Sequence, residues 1–229
     1  MLKQHKHFLP NLLSGSSEAA ELFLAEWYGE PERGRVEANV DSGLPSPLVR
    51  LYELAAKWPQ AMVQNHLLAP PEPADDRIVF YVENQGVYEW ATELDGDDDA
   101  TVWGREPDSA PWAEEEPALG AFVLQLLIFE AIMGAEHGAS IAWLPAARLP
   151  DVLTQLHPLP CGSWRWPDYP TSFHAGDDRL LAVAAPNRTP ADPGDHFSVF
   201  IAAHDGAALA FLDDLVDDSW EHFSRRDSA

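Results

Sequence analysis

The most apolar stretch of the chain, residues 119–133, reads LGAFVLQLLIFEAIM and is followed by Gly134. Its apolar residues fall on every side of a 3.6-residue repeat, which predicts a helix that is buried all round. The stretch is shorter than the about 20 residues needed to cross a bilayer, and Gln125 and Glu130 interrupt it. The sequence therefore predicts a central core helix that ends at Gly134.

The rest of the chain predicts short elements separated by many of its 20 prolines. Helices are predicted at 17–27, from an N-cap at Ser46 to Trp58, at 149–156 and after Asp205; strands are predicted at 77–84, 87–91, near 101–103, at 141–144, 179–185 and 196–204. Because helices and strands are mixed rather than alternating, we expect an α+β fold with a mixed, largely antiparallel sheet and helices packed against it.

The domain organisation follows from the same pattern. We expect a single domain over 1–229, with its core at about 17–135 and an α+β elaboration at about 140–216. The tail from Asp217 is predicted to be frayed.

The charge balance excludes several classes of function. The chain has 14 Lys and Arg against 38 Asp and Glu, a formal net charge of −24. Such a surface repels phosphate, so the sequence argues against nucleic-acid binding and against docking on anionic membranes. The charge favours a cationic partner, or no partner at all.

The cysteine content and the N-terminus bear on the compartment. The single thiol, Cys161, forms no internal disulfide and no cysteine-based zinc site, and we expect a small buried residue. The first ten residues lack the apolar run of an export signal, so we expect a cytoplasmic protein.

An acidic run at 93–99 raises the alternative of a divalent-cation site or a metal-dependent enzyme. Asp95, Asp97, Asp99 and Glu106 have the spacing of positions 1, 3, 5 and 12 of a calcium loop. Ala100 stands where that loop needs glycine, and the flanks predict strands rather than helices. A solvated hairpin loop is the favoured interpretation, with Asp97, Asp98 and Asp99 as candidate partner contacts.

The segment Trp164-Arg165-Trp166 offers a second candidate contact. If exposed, its rings and guanidinium would form a recognition patch. Burial in the core is the alternative, favoured because Trp is highly buried on average. The sequence lacks a nucleophile elbow, a phosphate-binding loop and a dinucleotide motif, so we expect no enzyme and no cofactor.

Three segments occur in an order found in a known family. They are LPSPLVRLYE at 44–53, IVFYVENQGVYEWA at 78–91 and, after Trp112, the apolar helix at 119–133. Over about residues 40 to 135 the chain resembles the SUKH superfamily (Smi/Knr-type proteins), especially bacterial members with a Glu-Asn-Gln strand end. It departs from the family at 57–60, where KWPQ replaces a glycine-rich turn.

The resemblance implies a non-catalytic α+β binding domain. Bacterial members of the superfamily are regarded as immunity proteins that neutralise toxins, often nucleases, delivered between competing cells. A basic nuclease groove would attract an acidic protein through fast, electrostatically steered association, in agreement with the charge. Glu83, Asn84 and Trp90 are candidate partner contacts, although the turn itself explains Glu83 and Asn84 mechanically. A regulatory scaffold without a toxin partner is the alternative, and the oligomeric state is left open.

Overall fold

The computed structural model describes residues 9–14, 18–32, 43–94, 100–107, 111–166, 170–185 and 195–227. The helices are α1 (Leu9–Ser14), α2 (Ala19–Tyr28), α3 (Ser46–Lys57), α4 (Leu119–Met133), α5 (Leu149–Val152) and α6 (Ser224–Asp227). The strands are β1 (His66–Ala74), β2 (Arg77–Val82), β3 (Glu89–Glu93), β4 (Val102–Arg105), β5 (Ala113–Glu114), β6 (His137–Pro145), β7 (His157–Pro158), β8 (Thr171–Ala175), β9 (Arg179–Ala184), β10 (His196–Ala203) and β11 (His222–Phe223). Short 3-10 helices cover Pro59–Ala61, Ala146–Arg148 and Gly206–Leu212.

The strands form two sheets. A five-stranded sheet has the order β1-β2-β3-β4-β5, and a six-stranded sheet has the order β11-β6-β10-β9-β8-β7. All of these pairings are antiparallel. The predicted α+β class is confirmed, although the sheet expected as one is divided into two.

Helix α4 has the predicted bounds and lies between the two sheets. The ring centroid of Phe122 in α4 lies 6.3 Å from that of Trp90 in the five-stranded sheet. On its other side α4 contacts β9 and β10 of the six-stranded sheet, and α2 and α3 also pack on it. Every residue of α4 from Phe122 to Ile132 is buried, which explains why this part of the helix carries no polar face.

A second hydrophobic core covers the far side of the six-stranded sheet. Val199 and Ile201 of β10 contribute to it together with Leu209 and Leu212. Trp220 and Phe223 belong to the same core at 2% and 4% exposure, and β11 pairs with β6. The expectation of a frayed tail from Asp217 is therefore wrong for residues 217–227, because two large apolar side chains anchor them.

Helix ends differ from the predictions for local reasons. Helix α3 begins at Ser46 rather than after it, because the carbonyl oxygen of Pro45 already accepts from the N–H groups of Leu48 and Val49 at 3.0 and 3.1 Å. Helix α5 stops at Val152, well before the predicted end, and Gln155 has a left-handed φ of 63° that no helix continues through. The carboxylate of Asp205 caps a helix as predicted, but a 3-10 helix.

Candidate partner-binding site

The turn between β2 and β3 holds the first two candidate contacts. Glu83 is 4% exposed, and its Oε2 accepts from the N–H groups of Gln85 at 2.7 Å and Val87 at 3.4 Å. Asn84 is exposed, and its N–H donates to Oδ1 of Asn65 at 3.2 Å. The carboxylate of Glu83 therefore stabilises the turn, and only Asn84 presents its side chain to a partner.

Two of the predicted contact residues lie inside the core. Trp90 and Trp164 are both 0% exposed, and their ring centroids are 5.2 Å apart. Trp164 also contacts Phe129 of α4 at 4.8 Å. Burial removes both rings from the predicted partner surface and confirms the packing interpretation for Trp164.

The neighbours of Trp164 do reach the surface. The guanidinium of Arg165 donates from Nε and Nη2 to the carbonyl oxygen of Glu114, at 3.0 and 2.9 Å. The half-buried ring of Trp166 lies 5.6 Å from that of Tyr88. Both residues are half-buried and form part of the surface.

The acidic run is divided by the structure. Asp95, Asp97, Asp98 and Asp99 lie outside the described residues, between the end of β3 and the start of β4. The extended strand β4 then carries Glu106 away from that connection by roughly 13 Å. A calcium loop curls its twelve positions around one ion. The calcium loop stays a prediction, because three of its four named ligands lie outside the described residues. In the described residues no group of three or more His, Cys, Asp or Glu is placed to hold a metal.

The antiparallel strands also separate the candidates. The turn at Glu83 lies at one end of β2 and β3, and the 94–101 connection leaves the opposite end of β3. Glu83 and Leu94 therefore lie near opposite ends of β3.

A row of stacked arginine and tryptophan side chains on the five-stranded sheet was not predicted from the sequence. We define the outer face of the five-stranded sheet as the side opposite α4, and the outer-face ladder as Arg77, Trp103, Arg105 and Trp112. The guanidinium of Arg77 lies 4.4 Å from the ring of Trp103 and 5.9 Å from that of Trp112. Arg105 lies 4.0 Å from the ring of Trp112. Trp112 precedes β5, so no strand periodicity links it to the other three.

Carboxylates hold the two arginines of the ladder. Arg105 donates from Nε to Glu89 at 2.6 Å, and its Nη1 lies 3.8 Å from Asp75. Arg77 pairs with Asp76. Because the pairs and the stacking restrain each other, the ladder forms an ordered surface rather than a set of mobile side chains.

A buried carboxyl group lies under the opposite side of the same sheet. Glu115 is 3% exposed; its Oε1 accepts from Nε1 of Trp90 at 3.1 Å, and its Oε2 has no hydrogen-bond partner in the described part of the chain. Burial raises the pKa of Glu115 to about 7, against the smaller lowering effects of Trp90 and Arg165. Gly104 leaves the space for it, because a Cβ there would lie 2.7 Å from Oε1 and 2.6 Å from the hydroxyl of Tyr88.

A second buried carboxylate has a structural role. Glu130 of α4 is 0% exposed and accepts from the N–H groups of Val63, Gln64 and Asn65 at 2.7, 2.7 and 2.9 Å. The hydroxyl of Tyr81 donates to it as well. The carboxylate thereby fixes the segment that leads into β1, and it presents no oxygen to a surface cleft.

The described C-terminal residues form a shallow open groove of about 570 Å³, lined by Asp213, Val216, Phe223, Arg225 and Arg226. Arg225 and Asp213 pair there at 2.7 Å. Among the helices that the structure describes, none combines the length and apolar character that a membrane crossing requires.

Comparison of the chain with protein-family models, with curated proteins and with solved structures gives no match in any of the three. The resemblance to the SUKH superfamily therefore stays a prediction.

Proposed function

We propose that this chain is a non-catalytic protein-binding module whose acidic surface binds a basic protein partner. The observation that supports this proposal is the excess of negative charge over positive charge in the chain. With 38 carboxylate side chains against 14 cationic ones, at least 24 carboxylates have no cation of the chain to neutralise them.

The ion pairs leave this excess unchanged, because pairing within the chain does not alter its net charge. Arg50, Lys57, Arg105, Arg148 and Arg225 each pair with a carboxylate of the chain. A cation that is held internally cannot screen another carboxylate well, so the remaining acidic side chains create a field that attracts positive proteins. Such a field raises the association rate more than it raises the affinity.

The resemblance to the SUKH superfamily makes the finer proposal an immunity role. A toxin that binds phosphate, such as a nuclease, has a basic groove that an acidic protein can cover. The buried carboxyl groups Glu115 and Glu130 are held by core contacts, which agrees with a role in folding rather than in catalysis.

The test is capture of the protein encoded beside this gene. The immobilised chain is exposed to that purified protein at 50 mM and 500 mM salt. We expect capture at low salt, with an association rate that falls about tenfold or more at high salt because the steering field is screened. Absence of capture at both salt concentrations would overturn the immunity role, and salt-independent capture would overturn the electrostatic mechanism.

A further inference from the structure

We propose that the outer face of the five-stranded sheet is the docking surface, and that Trp103 receives a lysine or arginine side chain of the partner between Glu93 and Glu114. This inference rests on the proposed function, because it names the chemistry and the place of the same binding event.

The strand register puts the three side chains together. Trp103 of β4 lies directly opposite Glu114 of β5 on one side and Ala91 of β3 on the other. Glu93 follows Ala91 by two residues, so it shares the face and lies diagonally from Trp103. Opposite residues have Cβ atoms about 5 Å apart, and diagonal ones about 7 Å, within reach of one incoming cation.

Some carboxylates on this face form ion pairs with the arginines of the outer-face ladder, and others do not. Glu89 and Asp76 hold the arginines of the outer-face ladder. Glu93 and Glu114 are exposed, and neither carboxylate makes an ion pair with a residue that the structure describes. Arg77 lies directly opposite Glu93 in the strand register, but its guanidinium pairs with Asp76 and lies over the ring of Trp103. The face therefore keeps two carboxylates beside Trp103 that no ion pair among the described residues engages, and a partner's cation would meet the side of the ring that Arg77 leaves open.

The aromatic centre is already ordered. The ring of Trp103 is half-buried and is held by the guanidinium of Arg77 at 4.4 Å, whose charge is offset by Asp76. Val79 and Ala91 lie on the same face and are nevertheless 4% and 0% exposed, so the larger side chains cover them. A fixed tryptophan loses little conformational entropy on binding and is the residue type that most often carries binding energy.

The tryptophan ring and the two carboxylates determine which kind of partner group can bind here. A tryptophan ring with flanking carboxylates attracts an ammonium or guanidinium group through cation–π and charge interactions together. Arg77 and Arg105 on this face are already paired with Asp76 and Glu89, so the two unpaired carboxylates leave the face negative and repel a phosphate group. The surface is suited to a basic segment of a protein.

The experiment compares two double variants of equal charge, with a fluorescein-labelled peptide of ten arginines as the probe. Glu93→Gln/Glu114→Gln removes the two carboxylates beside Trp103. Glu136→Gln/Glu221→Gln removes two exposed carboxylates elsewhere and serves as the control. We expect the dissociation constant, measured by anisotropy at 50 mM salt, to rise about tenfold for the first variant and less than twofold for the control.

A third variant tests the ring. Trp103→Phe keeps an aromatic side chain but weakens the cation–π interaction, and we expect the dissociation constant to rise about threefold in a protein that is still folded at the temperature of the assay. Equal weakening in both double variants would overturn the docking face and leave the acidic binding function intact. Absence of peptide binding by the unmodified chain at 50 mM salt would overturn the proposed function itself.

Discussion

The buried carboxyl group of Glu115 leads to a prediction about pH and stability. In the unfolded chain this group titrates near 4.5, and burial raises its pKa to about 7 in the folded protein. Between these values the folded protein keeps a proton that the unfolded chain has lost. The free energy of unfolding therefore falls as the pH rises from about 4.5 through about 7, and the stabilisation is fully present only below that range.

The magnitude follows from the two pKa values. The difference between 4.5 and about 7 corresponds to about 3 kcal/mol, at about 1.4 kcal/mol for each pH unit. Glu115→Gln keeps a carbonyl oxygen for the indole N–H of Trp90 and removes the charge. We expect it to be about 3 kcal/mol more stable than the unmodified chain at pH 8, a melting temperature higher by roughly 6 to 12 °C, and nearly equal to it below pH 4.5.

The measurement is urea unfolding of both proteins at several pH values between 4 and 8. Subtracting one curve from the other cancels the contributions of the remaining carboxylates. Glu114→Gln is the matched control, because it makes the same change at the exposed neighbouring position. A difference between Glu115→Gln and the unmodified chain that does not vary with pH would refute the assignment of a raised pKa.

Three further predictions concern buried groups. Gly104→Ala should destabilise the protein by about 2 kcal/mol in urea unfolding, because its methyl group would collide with Tyr88 and Glu115; an unchanged midpoint would contradict this. Glu130→Gln should cost about 3 kcal/mol in the same assay, since the amide group cannot accept from every donor that faces it, and a loss below 1 kcal/mol would count against the network. Cys161 should stay unreactive to a thiol reagent at pH 8 until guanidinium is added, because burial raises its pKa to about 12; rapid labelling of the folded protein would disprove it.

The sequence predicts correctly those helices and strands whose positions depend on residues close to them in the chain. The bounds of α4 follow from an apolar run that ends at Gly134, and β2 and β3 follow from two β-rich runs separated by a glycine turn. These features depend on neighbouring residues, so a sequence contains enough information to place them.

The pairing of strands that are distant in sequence could not be predicted from local patterns. The division into two sheets depends on which strands pair, and the six-stranded sheet joins β6 to β10 across more than fifty residues. Nothing local in residues 217–223 reveals that Trp220 and Phe223 have a core to enter.

The site was predicted only in part for the same reason. Three glutamates stand together at 114–116, and only the fold decides that the middle one is buried while its neighbours are exposed. The outer-face ladder combines two strands with a residue from a connection, so the stack exists only once Trp112 folds over the sheet. The sequence indicates a core position and an interface position equally for Trp90 and Trp164, because tryptophan is common in both, and only their burial in the fold separates the two cases.

The position of α4 between the two sheets has a consequence for protein synthesis. The ribosome releases Met133 about 70 residues before Ala203, the end of β10. At translation rates of about 5–20 residues per second, β10 is synthesised roughly 4 to 14 seconds after α4. During that time the apolar side of α4 that packs on the six-stranded sheet remains unburied. Because exposed apolar surface promotes association, we expect an N-terminal fragment that stops after α4 to aggregate when it is expressed alone.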